Sequence, residues 1–286
     1  MINGRTVGFF AGSALTAQPL PEICGALKAI GYDAVELDLA WLDRCAGEAE
    51  LNRACGEIRA AGLLLSEVVV QLDYVEADEA AREENISRTI RAVRRCGRAG
   101  IKTVNLFTGP RPWIPNALEI GRSVSQTQAW DMVFAAFDRI VPAAEEAGVG
   151  LAVENVWGMA CHDFFTAQFL VGRYGSPSLG VNFDPSHDLL AGHTDMEFLL
   201  RQWGDRVLHI HMKDAAGVQE RGRVLFPPLG EGLVDWPGFV RGLDAIGYRG
   251  ALSVEYEAES RLARSLGGSW RRAAEESYRA LEWILS

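Results

Sequence analysis

One recurring phrase limits this chain more than any other feature. The stretches AIGYDAVELDL (29–39), AAGLLLSEVVV (60–70), RAGIKTVNLF (98–107), EAGVGLAVEN (146–155) and AIGYRGALSVEYE (245–257) each pass from a helical pattern through a glycine into a short apolar run. Glycine takes the left-handed conformation that ends a helix, and a short, β-branched-rich apolar run after it suits a parallel strand covered on both faces. TVGFFAG (6–12), SLGVNFD (178–184) and RVLHIHM (206–212) bring the number of strands to eight. Between the strands, 78–99 and 125–148 carry apolar residues three and four apart, as amphipathic helices do. Eight β/α units in 286 residues predict an α/β fold, a single-domain (β/α)₈ TIM barrel over 1–286, and no linker, low-complexity tract or charge block divides the chain. The competing architecture is an open doubly wound sheet, but no G-x-G-x-x-G follows an early strand.

Composition narrows the function classes. With 48% hydrophobic residues the chain can bury a large core, and a formal charge of −10 works against a nonspecific grip on nucleic acid or on an anionic membrane surface. Neither is expected as a partner. Five scattered cysteines without a C-x-x-C pair suggest no disulfide framework and no zinc knuckle, which points to a reducing cytoplasm. RTVGFFAGSALTA (5–17) imitates a signal peptide, but a first buried strand at about 6–11 is the preferred reading.

In a TIM barrel, chemistry belongs at the carboxyl ends of the strands. The fifth strand ends in LAVEN with Glu154, and the sixth in VNFDPSH with Asp184 and His187. The seventh carries His209 and His211, and the eighth ends in LSVEYE with Glu255 and Glu257. A lone carboxylate at a strand end is usually a cap or solvated, but four consecutive strands delivering such groups to one rim implies pairing or a cation, because buried charge is costly. Strand alternation sends His209, His211 and Lys213 to one side, the barrel interior. His211 is nearer the carboxyl end and is the better ligand. His209 is either a satisfied core histidine or a donor that orients a ligand. Lys213 is placed at the rim, where it meets a substrate oxygen or pairs with Asp214 or another carboxylate.

Taken in order, E-N, D-P-S-H, H-x-H-x-K-D, LGEGLVDW (229–236) and SVEYE resemble the xylose-isomerase-like sugar isomerase/epimerase superfamily, which includes ketose 3-epimerases, L-xylulose 5-phosphate epimerases and inosose dehydratases. The resemblance implies one divalent metal on Glu154, Asp184, His211 and Glu255, with His187 contacting substrate. It also implies a homodimer or homotetramer, and Asp235 at the N-cap of a helix beginning WPGFVRG. Three carboxylates and one imidazole suit Mn²⁺, with Mg²⁺, Co²⁺ and Zn²⁺ as alternatives. Such an ion orients a small-molecule sugar by its carbonyl and hydroxyl oxygens and stabilises an enediolate, while Glu154 and Glu255 remove and supply the proton next to the carbonyl.

Two departures bear on substrate contacts. The ketose 3-epimerases have a Glu where Ala160 stands and an Arg where Gly217 stands. Arg221 or Arg223 is a candidate replacement for that Arg, although a charged loop is more often merely solvated. Trp157, Trp113 and Phe107 are candidates for a wall against one sugar face, with core packing favoured for Phe107, and Glu36 and Glu67 for hydroxyl contacts at the mouth. The expected function is therefore a metal-dependent keto-sugar epimerase or isomerase. A dehydratase using the same site, with Lys213 helping a hydroxyl leave, is the alternative. The endonuclease-IV-like branch is remote, because it needs further histidines on strands two and three, and DAVELDL and LLLSEVVV contain none.

Overall fold

The computed structural model describes residues 1–218 and 223–286. Eight parallel strands close into a barrel: β1 (Thr6–Ala11), β2 (Ala34–Asp38), β3 (Leu64–Val70), β4 (Thr103–Leu106), β5 (Gly150–Val153), β6 (Leu179–Phe183), β7 (Val207–Met212) and β10 (Ala251–Val254). The last strand pairs with the first, Thr6 opposite Ala251, which completes the ring β1-β10-β7-β6-β5-β4-β3-β2. Beyond β7 the chain inserts an antiparallel ribbon, β8 (Ala216–Val218) against β9 (Arg223–Leu225). The expected TIM barrel is thus the observed one, with every expected strand in place.

The recurring glycines act as expected. Gly31, Gly62, Gly100, Gly148 and Gly247 all have positive φ, between 63° and 126°, a region in which a side chain would be strained. Each turns a finished helix back into the next strand. Helix starts are equally local in origin. Asp78 accepts from the Ala80 and Ala81 amides ahead of helix Glu79–Ala99, and Ser125 and Gln128 form a reciprocal capping box ahead of Gln126–Ala147. Asp235 caps Trp236–Ile246 through the Gly238 amide, as the sequence suggested. Gly180 answers a different need. A Cβ there would lie 2.2 Å from the Arg206 carbonyl oxygen, so β6 can sit beside the entry to β7 only without a side chain.

The apolar core lies between barrel and helices, with Ile23, Leu27, Ile58, Val93, Phe137 and Ile140 fully buried. Inside the barrel the chemistry is different. Branched apolar residues usually fill that space, yet here Glu36, Glu67, Asn105, Asn182, His209, His211 and Ser253 are all buried. A register shift between Val35 and Leu37 in the β2–β3 pairing accompanies the inward placement of Glu36. Buried polar groups at this density persist only if they are paired with one another or with a bound cation. Among the described residues no helix is long and apolar enough to cross a membrane, and all five cysteines are free.

Candidate metal centre and active site

The strand ends bring Glu154, Asp184, His211 and Glu255 together, with one donor atom from each within 4.8 Å of the others. All four are buried. Donors on one ion at about 2.1 Å lie no more than about 4.2 Å apart, so the set fits a divalent ion after side-chain shifts of under about an ångström. Three buried carboxylates also carry more negative charge than their one close permanent cation, Lys213, can offset. The donor set and the charge both fit a metal.

Each member is held in place by neighbours. Glu154, just past β5, accepts through Oε2 from Asn105 Nδ2 at 2.9 Å and Asn182 Nδ2 at 3.2 Å, amides from the strands on either side. Its Oε1 lies 3.3 Å from His211 Nδ1, and Glu255 Oε2 lies 3.4 Å from the same nitrogen. Asp184 caps helix Pro185–Leu190 by accepting from the Ser186 amide through Oδ1, which leaves Oδ2 for the cluster. The far nitrogen of His211, Nε2, meets Glu36 Oε1 at 2.9 Å, and Phe10 stacks on the ring. That contact leaves Nδ1 aimed at the carboxylates, the arrangement in which a second carboxylate orients a histidine ligand.

Beneath this set lies a second layer. His209 Nε2 is 2.9 Å from Glu36 Oε2, so Glu36 bridges both histidines. His211 and His209 pull the Glu36 carboxyl down to about 2 against the upward push of burial. Glu67 beside it is pushed well above the usual range by burial and then by the Glu36 charge. Glu36, Glu67, His209 and His211 also satisfy the spacing for a cation. The upper set meets the cavity through Glu154 and Glu255, and neither Glu36 nor Glu67 lines it. Glu36 and Glu67, expected at the mouth, lie instead against His209 and His211 and do not line the cavity. β2 and β3 deliver them one layer too deep, where both are fully buried.

Lys213 also sits deeper than expected, only 4% exposed. Its ammonium contacts Glu255, lies 2.9 Å from Asp184 Oδ2 and 3.3 Å from Glu257 Oε2, and meets His187 Nε2 at 3.1 Å. Burial alone would lower its pKa, but Asp184 and Glu255 hold it well above the ordinary lysine value. The same contact acts on its partners. Burial pushes Glu255 up, yet Lys213 and His211 bring it well below the carboxylate range. Glu154 goes the other way, raised by burial despite His211. Burial and the adjacent Lys213 charge lower His187 to about 4, so its imidazole is neutral. Among the described residues Asp214 pairs with no lysine. It accepts from the Gly230, Gly232 and Val234 amides and from Trp236 Nε1, holding the loop that precedes helix Trp236–Ile246.

Above these groups opens a cavity of about 370 Å³, lined on its aromatic side by Phe107, Trp113, Trp157 and Phe226. Trp113 and Trp157 stand 6.3 Å apart, and Phe107 meets Trp113 edge-on. Trp113 and Trp157, expected to wall a pocket, line this cavity together with Phe107, which is also packed. Arg221 lies outside the described residues, and of Arg223 only the backbone in β9 is described. Three residues escaped the sequence reading. Asn105 and Asn182, which hold Glu154, are amides inside otherwise apolar strands, and that anomaly could have marked them. Phe226, against His187 and Lys213, carries no comparable signal.

The model of the xylose isomerase-like TIM-barrel family matches residues 24–285. The putative L-ribulose-5-phosphate 3-epimerase SgbU of Escherichia coli strain K12 is 24% identical over 255 residues, 84% of each chain. The inosose dehydratase of Geobacillus thermodenitrificans strain NG80-2 is 23% identical over 155 residues, 50% of this chain and 52% of that one. Two other curated relatives, at 26% and 29% identity, are spanned over only 64% and 41% of their own length. Among solved structures, that of the IolI protein with a zinc atom superposes over 98% of both chains with a TM-score of 0.75 at 18% identity. At that identity the likeness concerns the fold.

Proposed function

Because the chain belongs to the xylose isomerase-like TIM-barrel family, we propose that it is a sugar epimerase or isomerase that moves a proton next to a carbonyl, with a divalent metal held by Glu154, Asp184, His211 and Glu255. The observation that carries this reading is the pair Glu154 and Glu255. They stand on strands three places apart around the ring and line one cavity. Glu154, Asp184, His211 and Glu255 would hold a divalent ion, Mn²⁺ by the oxygen-rich donor set, which when bound would supply positive charge for a carbonyl oxygen.

The chain's own residues do the rest. The two glutamates sit in different surroundings, since burial raises the Glu154 carboxyl whereas Lys213 and His211 hold that of Glu255 low. Asn105 and Asn182 fix the Glu154 carboxylate, and Lys213 fixes Glu255. His187, neutral and within the cavity, offers a hydrogen bond to a sugar hydroxyl. The aromatic wall excludes water from one sugar face.

The inosose dehydratase relative keeps a second reading open, loss of a hydroxyl after the same proton is removed. Lys213 is poorly suited to help a hydroxyl leave, because Asp184 and Glu255 hold its proton tightly. Turnover in D₂O separates the two. The proposed reaction gives an isomer of the substrate carrying deuterium at the carbon next to the carbonyl. A product lighter by one water identifies a lyase and overturns the proposal.

A further inference from the structure

The mouth of the barrel continues sideways. A second lobe of about 290 Å³ opens beside the first, and Gln71, Glu255, Glu257 and Glu259 line both. Its apolar wall is built from Phe10, Leu15, Leu262 and Trp270. A single sugar ring that reaches Glu154 and Glu255 occupies the first lobe and leaves the second one unfilled. The second lobe pairs an aromatic and aliphatic wall with carboxylates, Asp38 among them. Such walls cover the C–H face of a ring, and such carboxylates accept from its hydroxyls.

Charge restricts the occupant further. Around the two lobes the described residues contribute Asp38, Glu154, Glu255, Glu257 and Glu259. Lys213 is the one described cation that lines them, and Asp184, Glu255 and Glu257 already engage it. Nearby Arg111 is bound to Asp73 at 3.0 Å, and Arg261 to Glu276. A divalent ion and Lys213 together balance Glu154, Asp184 and Glu255, and the exposed Glu257 and Glu259 add further negative charge at the opening. A phosphate group would enter against that field.

We propose that the site takes an uncharged, extended keto-sugar, one that carries a second ring or a comparable neutral group in the lobe between Phe10 and Trp270, and that it discriminates against sugar phosphates. This rests on the reaction proposed above and adds the substrate class.

Calorimetric titration of the full, Mn²⁺-loaded chain tests it with five probes that share one ketose. These are fructose, its 1- and 6-phosphates, and trehalulose and isomaltulose, which carry glucose on the same two oxygens. At least one disaccharide should bind about tenfold more tightly than fructose, and both phosphates more weakly than fructose, by about tenfold. Leu262→Arg should erase the disaccharide advantage, bringing the ratio to about one. Should that variant unfold, Glu259→Lys, at an exposed position, should narrow the gap between fructose and its phosphates. A phosphate that binds more tightly than fructose overturns the proposal, as do disaccharides with no advantage or a titration in which no probe binds. Deuterium uptake distinguishes this failure from that of the reaction. Exchange that favours a phosphate leaves the reaction standing and removes the substrate class. A disaccharide preference without exchange in any sugar does the reverse.

Discussion

Replacing Lys213 by methionine keeps most of the side-chain volume and removes the charge that Asp184, Glu255 and Glu257 share. Removing one partner from a buried ion pair costs about 3–5 kcal/mol, because the remaining charges stay buried. Unfolding entropy of about 2.1 cal/mol/K per residue over 286 residues is ~0.6 kcal/mol/K, so the metal-free variant should melt about 5–8 °C below the wild type. The pH dependence has a definite sign. Asp184 and Glu255 have folded-state pKa values below their ordinary ones, Lys213 being the largest cause that lowers each. Depressed carboxylates add stability above their unfolded pKa and lose it as pH falls through the folded one. The gap between variant and wild type should therefore be widest near neutrality and close on acidification below about pH 4. An ion at the same carboxylates brings two positive charges, so saturating Mn²⁺ should reduce the gap to less than half. Differential scanning calorimetry with and without Mn²⁺ reads both effects. An equal gap in the two conditions would refute the idea that Lys213 and the metal neutralise the same groups.

Three further outcomes follow from the same geometry. Asp184→Ala and His211→Ala should each lose metal from purified protein by elemental analysis, whereas unchanged content in both would remove the site. Glu154 and Glu36 hold His211 well above the ordinary histidine value, although burial opposes them. Metal must displace that proton, so affinity should fall as pH falls through the raised value, and calorimetry in buffers of different ionisation enthalpy should show proton release at neutral pH. Burial and the Asp184 charge raise buried Asp188 to about 8. The native state therefore holds a proton that the unfolded state releases, and stability should fall by up to about 1.4 kcal/mol per pH unit as pH rises between the two values. Asp188→Asn should flatten that slope in urea unfolding at pH 5 and 7.

The barrel was legible because its signals are local. A left-handed glycine after each helix and a strand-length apolar run after each glycine require no knowledge of the far side of the molecule. The four proposed ligands were legible for a related reason, since strand ends in this fold share one rim. Depth was not legible. Glu36 and Glu67 stand at strand positions that alternation sends inward, and only the closed barrel shows that they pack against His209 and His211 without lining the cavity. The sequence places Lys213 at the rim, because a lysine buried among three carboxylates and an imidazole is visible only once the strands are closed. The part of Asp214, in the same tripeptide run, depends on a loop sixteen to twenty-two residues further along the chain.

Proton exchange in the glutamine variants of Glu154 and Glu255 tests the central claim most directly. Each substitution keeps the side-chain size and removes the carboxylate, and measurement at saturating Mn²⁺ separates proton transfer from metal affinity. Deuterium incorporation into a substrate sugar should fall by about 10²–10⁴-fold in either variant, the usual cost of a lost acid–base group. If both recover wild-type exchange once metal is saturating, the two glutamates are ligands alone and the proton-transfer account is wrong.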